Sequence, residues 1–151
     1  MVNQISLLPP PDNDPNRDEI TGRRDIKLCK RHRKWGFNMN ELDLDFIEYN
    51  DDALPLAIIE YKVAFPLFPD RPNIDRKIKA LTILAKKAEL PALLTYYNPD
   101  FKYWMPFSLN EYLNIPGGRY TEYEYVQLLY RIRKEEIPPE VSQFVHGGGF
   151  K

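Results

Sequence analysis

Glu60 and Lys62 close the most apolar stretch of the chain, Pro55-Leu-Ala-Ile-Ile-Glu-Tyr-Lys62, where strand propensity favours another β-branched residue. Side chains alternate along a strand, so Leu56, Ile58, Glu60 and Lys62 fall on one face. A charge on such a face is costly unless it is paired or metal-bound. The preceding stretch, Leu42 to Tyr49, alternates in the same way and puts Asp43 and Asp45 on a shared face, and Asn50-Asp51-Asp52 supplies a turn. An antiparallel hairpin would lay one or both acids beside Glu60. Carboxylates converging with a lysine suit a hard divalent cation, Mg²⁺ or Mn²⁺. The lysine can then orient a water and offset charge developing on a phosphate. The same residues admit a second reading, in which Lys62 pairs with Asp43 or Asp45 and serves structure alone.

A second cluster is the run Lys30-Arg31-His32-Arg33-Lys34, preceded by Arg23, Arg24 and Lys27. On a helix these make a basic face that can grip phosphates, with Trp35 placed to stack on a base. The plainer alternative is a solvated helix end, where cations suit the dipole. His32 reads as a surface histidine. Cys29 reads as a buried filler, and with only His32 and His146 besides, Cys and His cannot assemble a four-ligand zinc site. Gly117-Gly118 lacks the spacing of a phosphate loop and reads as a turn. The tyrosine-rich segments around Tyr96 and Tyr123 read as core, with a base-stacking platform as the lesser option.

The elements that must position these residues follow from periodicity. A helix is predicted over Asp18 to Lys34, followed by the two strands above. Ile74, Ile78, Leu81, Ala85 and Ala88 mark an amphipathic helix over 73–89, with Asp70 or Asn73 as its cap and Lys77, Lys79, Lys86 and Lys87 on its wet side. Ala92 to Tyr97 and Tyr103 to Leu109 follow as strands, Pro106 demoting the latter to an edge or a bulged strand. Thr121 and Glu124 form a capping box that opens a helix through Glu135, stopped by Pro138 and Pro139. The proline-rich residues 1–16 read as an arm, 17–140 as one domain, and 141–151, with Gly147–Gly149, as a flexible tail.

Asp45, fourteen residues, then Glu60-Tyr61-Lys62 resembles the D-X(n)-(D/E)-X-K signature of the PD-(D/E)XK nuclease superfamily. The likeness covers about residues 18–110, because the order of elements is also similar. It implies a restriction-endonuclease-like α/β fold: an αβββαβ core, a mixed sheet flanked by helices, here with an extra C-terminal helix. It also implies a metal-dependent nuclease, cleaving DNA with Mg²⁺ or Mn²⁺. Carried over by position, Asp45, Glu60 and Lys62 are catalytic. Asp45, Glu60 and the Tyr61 carbonyl ligate the metal, with Asp43 as a helper and Glu19 as a further acid. Asp45 is preferred over Asp43 because an acid often precedes the principal Asp by two in such segments. Leu44 stands where the name-giving Pro would be, and no glutamine or tyrosine motif follows on the next helix. Asn73 and Arg76 can substitute there as nucleic-acid contacts beside Lys30–Lys34. Small nucleases of this kind often pair, so a homodimer is implied.

The whole chain sets outer limits. Its 151 residues carry 21 Lys+Arg against 22 Asp+Glu, a net charge of −1, which excludes coating nucleic acid by bulk attraction. Hydrophobic content of 43% excludes global disorder. A single cysteine excludes a disulfide framework and fits a reducing, cytoplasmic setting. No apolar run approaches the roughly 20 residues of a membrane span, so no membrane partner is expected. The competing functional classes are a catalytically inactive interaction module on the same scaffold, and a subunit of a larger nucleic-acid-processing complex.

Overall fold

The computed structural model describes Arg31, Lys34, Trp35 and residues 44–146. The chain divides into two units, Met1–Glu41 and Leu42–Lys151, a boundary that falls within the stretch read above as one domain. In the first unit Arg31, Lys34 and Trp35 are helical and exposed. Most of the predicted first helix, the proline-rich arm and residues 147–151 lie outside the described residues.

The second unit runs β1 (Phe46–Tyr49), β2 (Pro55–Val63), α1 (Arg76–Lys87), β3 (Ala92–Tyr97), β4 (Tyr103–Ser108), β5 (Tyr120–Thr121), α2 (Glu122–Arg133) and α3 (Pro139–His146). Its strands form one mixed sheet in the order β1-β2-β3-β4-β5. β2 runs antiparallel to β1 and parallel to β3, while β3–β4 and β4–β5 are antiparallel. Parallel neighbours cannot be joined by a tight turn, so α1 spans the β2–β3 crossover. The β1–β2 turn is held by Asn50, whose Oδ1 accepts from the N–H of Asp52 at 3.1 Å and of Leu54 at 2.9 Å. This is an α/β sheet flanked by helices.

β2 is apolar on both faces because both are covered. Ile58 and Ala64 pack with Ile78, Leu81 and Ala85 of α1 and with Leu94 and Tyr96 of β3. Ala57, Ile59 and Leu93 pack on the other side with Leu113, Ile115, Leu129 and Ile132. The alternation that builds these two cores also assigns Tyr61 to the α2 side and Glu60 and Lys62 to the α1 side.

Several boundaries differ from the sequence expectations for local reasons. The described strand begins at Phe46, so Asp45 immediately precedes β1. Two strands precede α1 among the described residues, where the αβββαβ order calls for three. α1 starts at Arg76 and is capped by Asp75, whose side chain accepts from the Ile78 N–H at 2.9 Å, so neither Asp70 nor Asn73 is its cap. Ile74, read as the first core contact, is therefore exposed ahead of the helix. Pro106 lies beyond Tyr103 and Trp104, the two residues that β5 covers, where a missing N–H is tolerated. Pro139 opens α3, so residues 141–146 of the expected tail are helical; proline suits a first turn because its N–H has no intrahelical partner there. Among the described residues no helix is long and apolar enough to cross a membrane.

The capping box on α2 forms as expected: Thr121 Oγ1 accepts from the Glu124 N–H at 3.3 Å, and Glu124 Oε2 accepts from the Thr121 N–H at 2.7 Å. α2 buries Tyr125 and Leu128 against the sheet, so its start matters to the whole unit. Thr121→Ala should lower unfolding free energy by about 1 kcal/mol in chemical denaturation, the usual cost of removing an N-cap.

Candidate functional site

The site is set by how β2 is locked. The Tyr61 ring makes edge contacts with Phe46 (5.2 Å between centroids), Tyr97 (6.3 Å), Trp104 (6.2 Å) and Tyr125 (6.3 Å). Trp104 lies flat on Tyr125 at 4.9 Å. The Tyr125 hydroxyl hydrogen-bonds the Tyr61 hydroxyl at 2.8 Å and Thr95 Oγ1 at 3.2 Å, so the hydroxyls of Tyr61 and Tyr125 are paired. Burial pushes the Tyr61 phenol up to about 12, and its oxygen accepts from the Tyr125 hydroxyl. With Tyr61 committed to this side, its neighbours Glu60 and Lys62 must emerge on the other.

Asp45 meets Glu60 through strand register. Phe46 pairs with Ile59, so one further step places Asp45 opposite Glu60. Asp45 Oδ2 accepts from the Tyr61 N–H at 3.0 Å, which ties the acid to the β2 backbone at the E-X-K segment. Glu60 is 4% exposed. Its Oε1 accepts from Lys77 Nζ at 2.5 Å, while its Oε2 is buried and has no hydrogen-bond partner. Burial raises the Glu60 pKa above the ordinary carboxylate range. The Lys77 ammonium pulls it back, and the nearby Asp45 carboxylate pushes it up again.

The lysines are held as well. Lys62 Nζ lies 3.1 Å from Asp75 Oδ2, and its side chain keeps 27% exposure, so it is oriented without being sealed from water. Asp75 thus caps α1 with one oxygen and positions Lys62 with the other. The backbone N–H of Ile78 and then the Lys62 ammonium hold its carboxyl below the usual range. The first turn of α1 contains no acid and carries Arg76 and Lys77, although the helix dipole disfavours cations there. Glu60 compensates Lys77; Arg76 is exposed.

The structure therefore brings together Asp45, Glu60, Tyr61 and Lys62, and adds Asp75 and Lys77, which the sequence reading missed. Lys77, assigned to the wet side of its helix, turns inward to Glu60 because α1 starts at Arg76 and its first turn abuts β2. The recoverable signal was Asp75 three residues ahead of Ile78, a cap spacing that competes with Asn73. Lys62 pairs with Asp75, the cap of α1, where the structural alternative names Asp43 or Asp45. Asn73 is exposed and its N–H donates to the Tyr96 hydroxyl at 3.1 Å. Asp43, Glu19, Cys29, Lys30, His32 and Arg33 lie outside the described residues.

Asp45 and Glu60 offer carboxylate oxygens, the donor type a magnesium-class ion accepts while keeping several waters. The unpartnered Glu60 Oε2 is the observation in favour of the fit, since a buried carboxylate oxygen otherwise stays unsatisfied. Among the described residues no group of three or more His, Cys, Asp and Glu side chains could hold a metal, so this set is limited to two carboxylates. Comparison with protein-family models, with curated proteins and with solved structures returns no match. The chemistry of the site must therefore be read from its own residues.

Two stability predictions follow from these contacts. Glu60→Gln keeps an acceptor for Lys77 and turns an amide donor toward Asp45, so it should stabilise the fold by about 1 kcal/mol in thermal unfolding, as removal of strained site charges commonly does. Asp75→Ala should destabilise by about 1 kcal/mol at neutral pH through loss of the cap. Because the folded Asp75 pKa is depressed, the charge-dependent part of its stabilisation is present above the ordinary aspartate pKa and is lost as pH falls through the depressed value. The gap between wild type and Asp75→Ala should accordingly narrow in acid-titrated melting curves.

Proposed function

We propose that the chain is a metal-dependent nuclease that hydrolyses phosphodiester bonds, with DNA as its substrate. The observation that carries this reading is the juxtaposition of Asp45 with Glu60, one oxygen of Glu60 buried and unpartnered, with Lys62 two residues further along the same strand face. Asp45, Glu60 and the Tyr61 carbonyl would hold Mg²⁺ or Mn²⁺. Such an ion, when bound, supplies Lewis-acid stabilisation to charge building up on the phosphate.

The remaining steps belong to the protein. Lys62, fixed by Asp75 and still wetted, donates hydrogen bonds that orient an attacking water toward phosphorus and offset developing negative charge. Lys77 opposes the burial that raises the Glu60 pKa, favouring the carboxylate form that a metal needs. Arg76, exposed at the first position of α1, adds a cation for a neighbouring phosphate. Arg31 and Lys34 of the basic run are exposed on helical backbone, which suits phosphate contact.

A different observation favours a second reading. Lys77–Glu60 and Lys62–Asp75 already pair each lysine with an acid, as a purely structural network on a non-catalytic module would. Cleavage assays separate the two. Wild-type protein should nick or degrade DNA with Mg²⁺ or Mn²⁺ and stop on chelation. Lys62→Ala should lose about 10²- to 10³-fold in rate, the scale of removing one charge-stabilising donor, while its melting temperature stays close to wild type. A wild type that cleaves nothing, or a Lys62→Ala variant that cleaves equally well, leaves only the structural network.

A further inference from the structure

Glu60 is closed to an incoming ligand on both of its carboxylate oxygens. Oε2 is buried without a hydrogen-bond partner, and Oε1 is covered by Lys77 Nζ at 2.5 Å. Asp45 differs: it is exposed, and the strand register sets it opposite Glu60. The acid pair is therefore open on the Asp45 side and shut on the Glu60 side. For Glu60 to take an ion, one of the groups around it has to move.

Those groups are not equally free to do so. Glu60 stands on β2, which is paired on both sides, and Tyr61 beside it is held among four aromatic rings. Lys77 reaches Glu60 along a flexible four-carbon stem, and its side chain is 31% exposed. It belongs to the first turn of α1, where the helix dipole disfavours a cation. Lys62 is engaged with Asp75 at 3.1 Å, so it does not take the place of Lys77 at Glu60. The ammonium of Lys77 is the member of the cluster that can leave.

We propose that Lys77 is an exchangeable counter-ion, which neutralises Glu60 inside the fold until a divalent cation binds Asp45 and Glu60, and then withdraws to water. This inference rests on the nuclease reading for the cation and adds how the site takes it up. A buried carboxylate without a counter-charge is strongly destabilising, so the exchange lets the acid persist in the fold before an ion arrives. Ammonium and metal ion compete for one carboxylate, and each weakens the hold of the other by the same factor.

The test is acylation of the full chain by an N-hydroxysuccinimide ester, read lysine by lysine in a mass spectrometer, in Mn²⁺ and in NaCl of matching ionic strength. Binding is followed in parallel by calorimetry, and cleavage of DNA is assayed separately. In NaCl, Lys77 should react more slowly than Lys79, which is exposed two residues further on. Saturating Mn²⁺ should raise acylation of Lys77 by about 10-fold, the usual scale of coupling between two ligands of one protein, and leave Lys79 unchanged. Asp45→Asn should keep Lys77 slow at the same Mn²⁺ concentration. Binding heat with no rise at Lys77 overturns the exchange and leaves the metal site standing. An equal rise at Lys77 and Lys79 overturns it as well, because that rise does not come from the site. Absence of both heat and rise removes the metal site and the exchange with it. A rise at Lys77 alone, without cleavage of DNA, keeps the exchange and sinks the hydrolytic reading.

Discussion

A carboxylate with one oxygen sealed from water and left without a partner is an expensive thing to place in a protein core, and the site is organised around Glu60 in that condition. Lys77 meets one oxygen, and Asp45, which might have been kept away, is instead drawn toward the same residue by the register of β1 on β2. Like charges brought together at the end of an apolar strand destabilise the fold. On the nuclease reading proposed above, a divalent cation bound between them would relieve that repulsion.

What holds Glu60 in place is on the far side of the sheet. Tyr61 is gripped by four aromatic rings and tied by its hydroxyl to Tyr125, so β2 cannot rotate to bring its acid out to solvent. Glu48 on β1 adds a second tie on that side, its Oε2 accepting from Arg133 Nε at 3.1 Å. The aromatic cluster and the ionic cluster are thus two faces of one strand. Rigid packing on the first provides the preorganisation that the second needs.

How much of this could be read from the amino acids follows the range of the interactions. Strand alternation is local, so the shared face of Glu60 and Lys62 and the hairpin that brings Asp45 to Glu60 were legible, as were the capping box at Thr121 and the apolar stripe Ile78, Leu81, Ala85. The pairing of Lys62 with Asp75 and of Lys77 with Glu60 was not. Both depend on how the first turn of α1 docks against the end of β2, which brings the half-buried Lys77 to Glu60. Short elements also escaped: β5 is two residues long and has no period to detect. Pro139 has two opposite meanings, stop and first turn, and only the packing around it selects between them.

The most direct measurement of the central claim is calorimetric titration of the full chain with Mn²⁺, repeated on Asp45→Asn. If Asp45 and Glu60 share a cation, wild type will show saturable binding that the asparagine variant loses, since the fold keeps its Tyr61 N–H contact while the site loses half its charge. Absence of binding heat in wild type, or a titration that Asp45→Asn leaves unchanged, would contradict it.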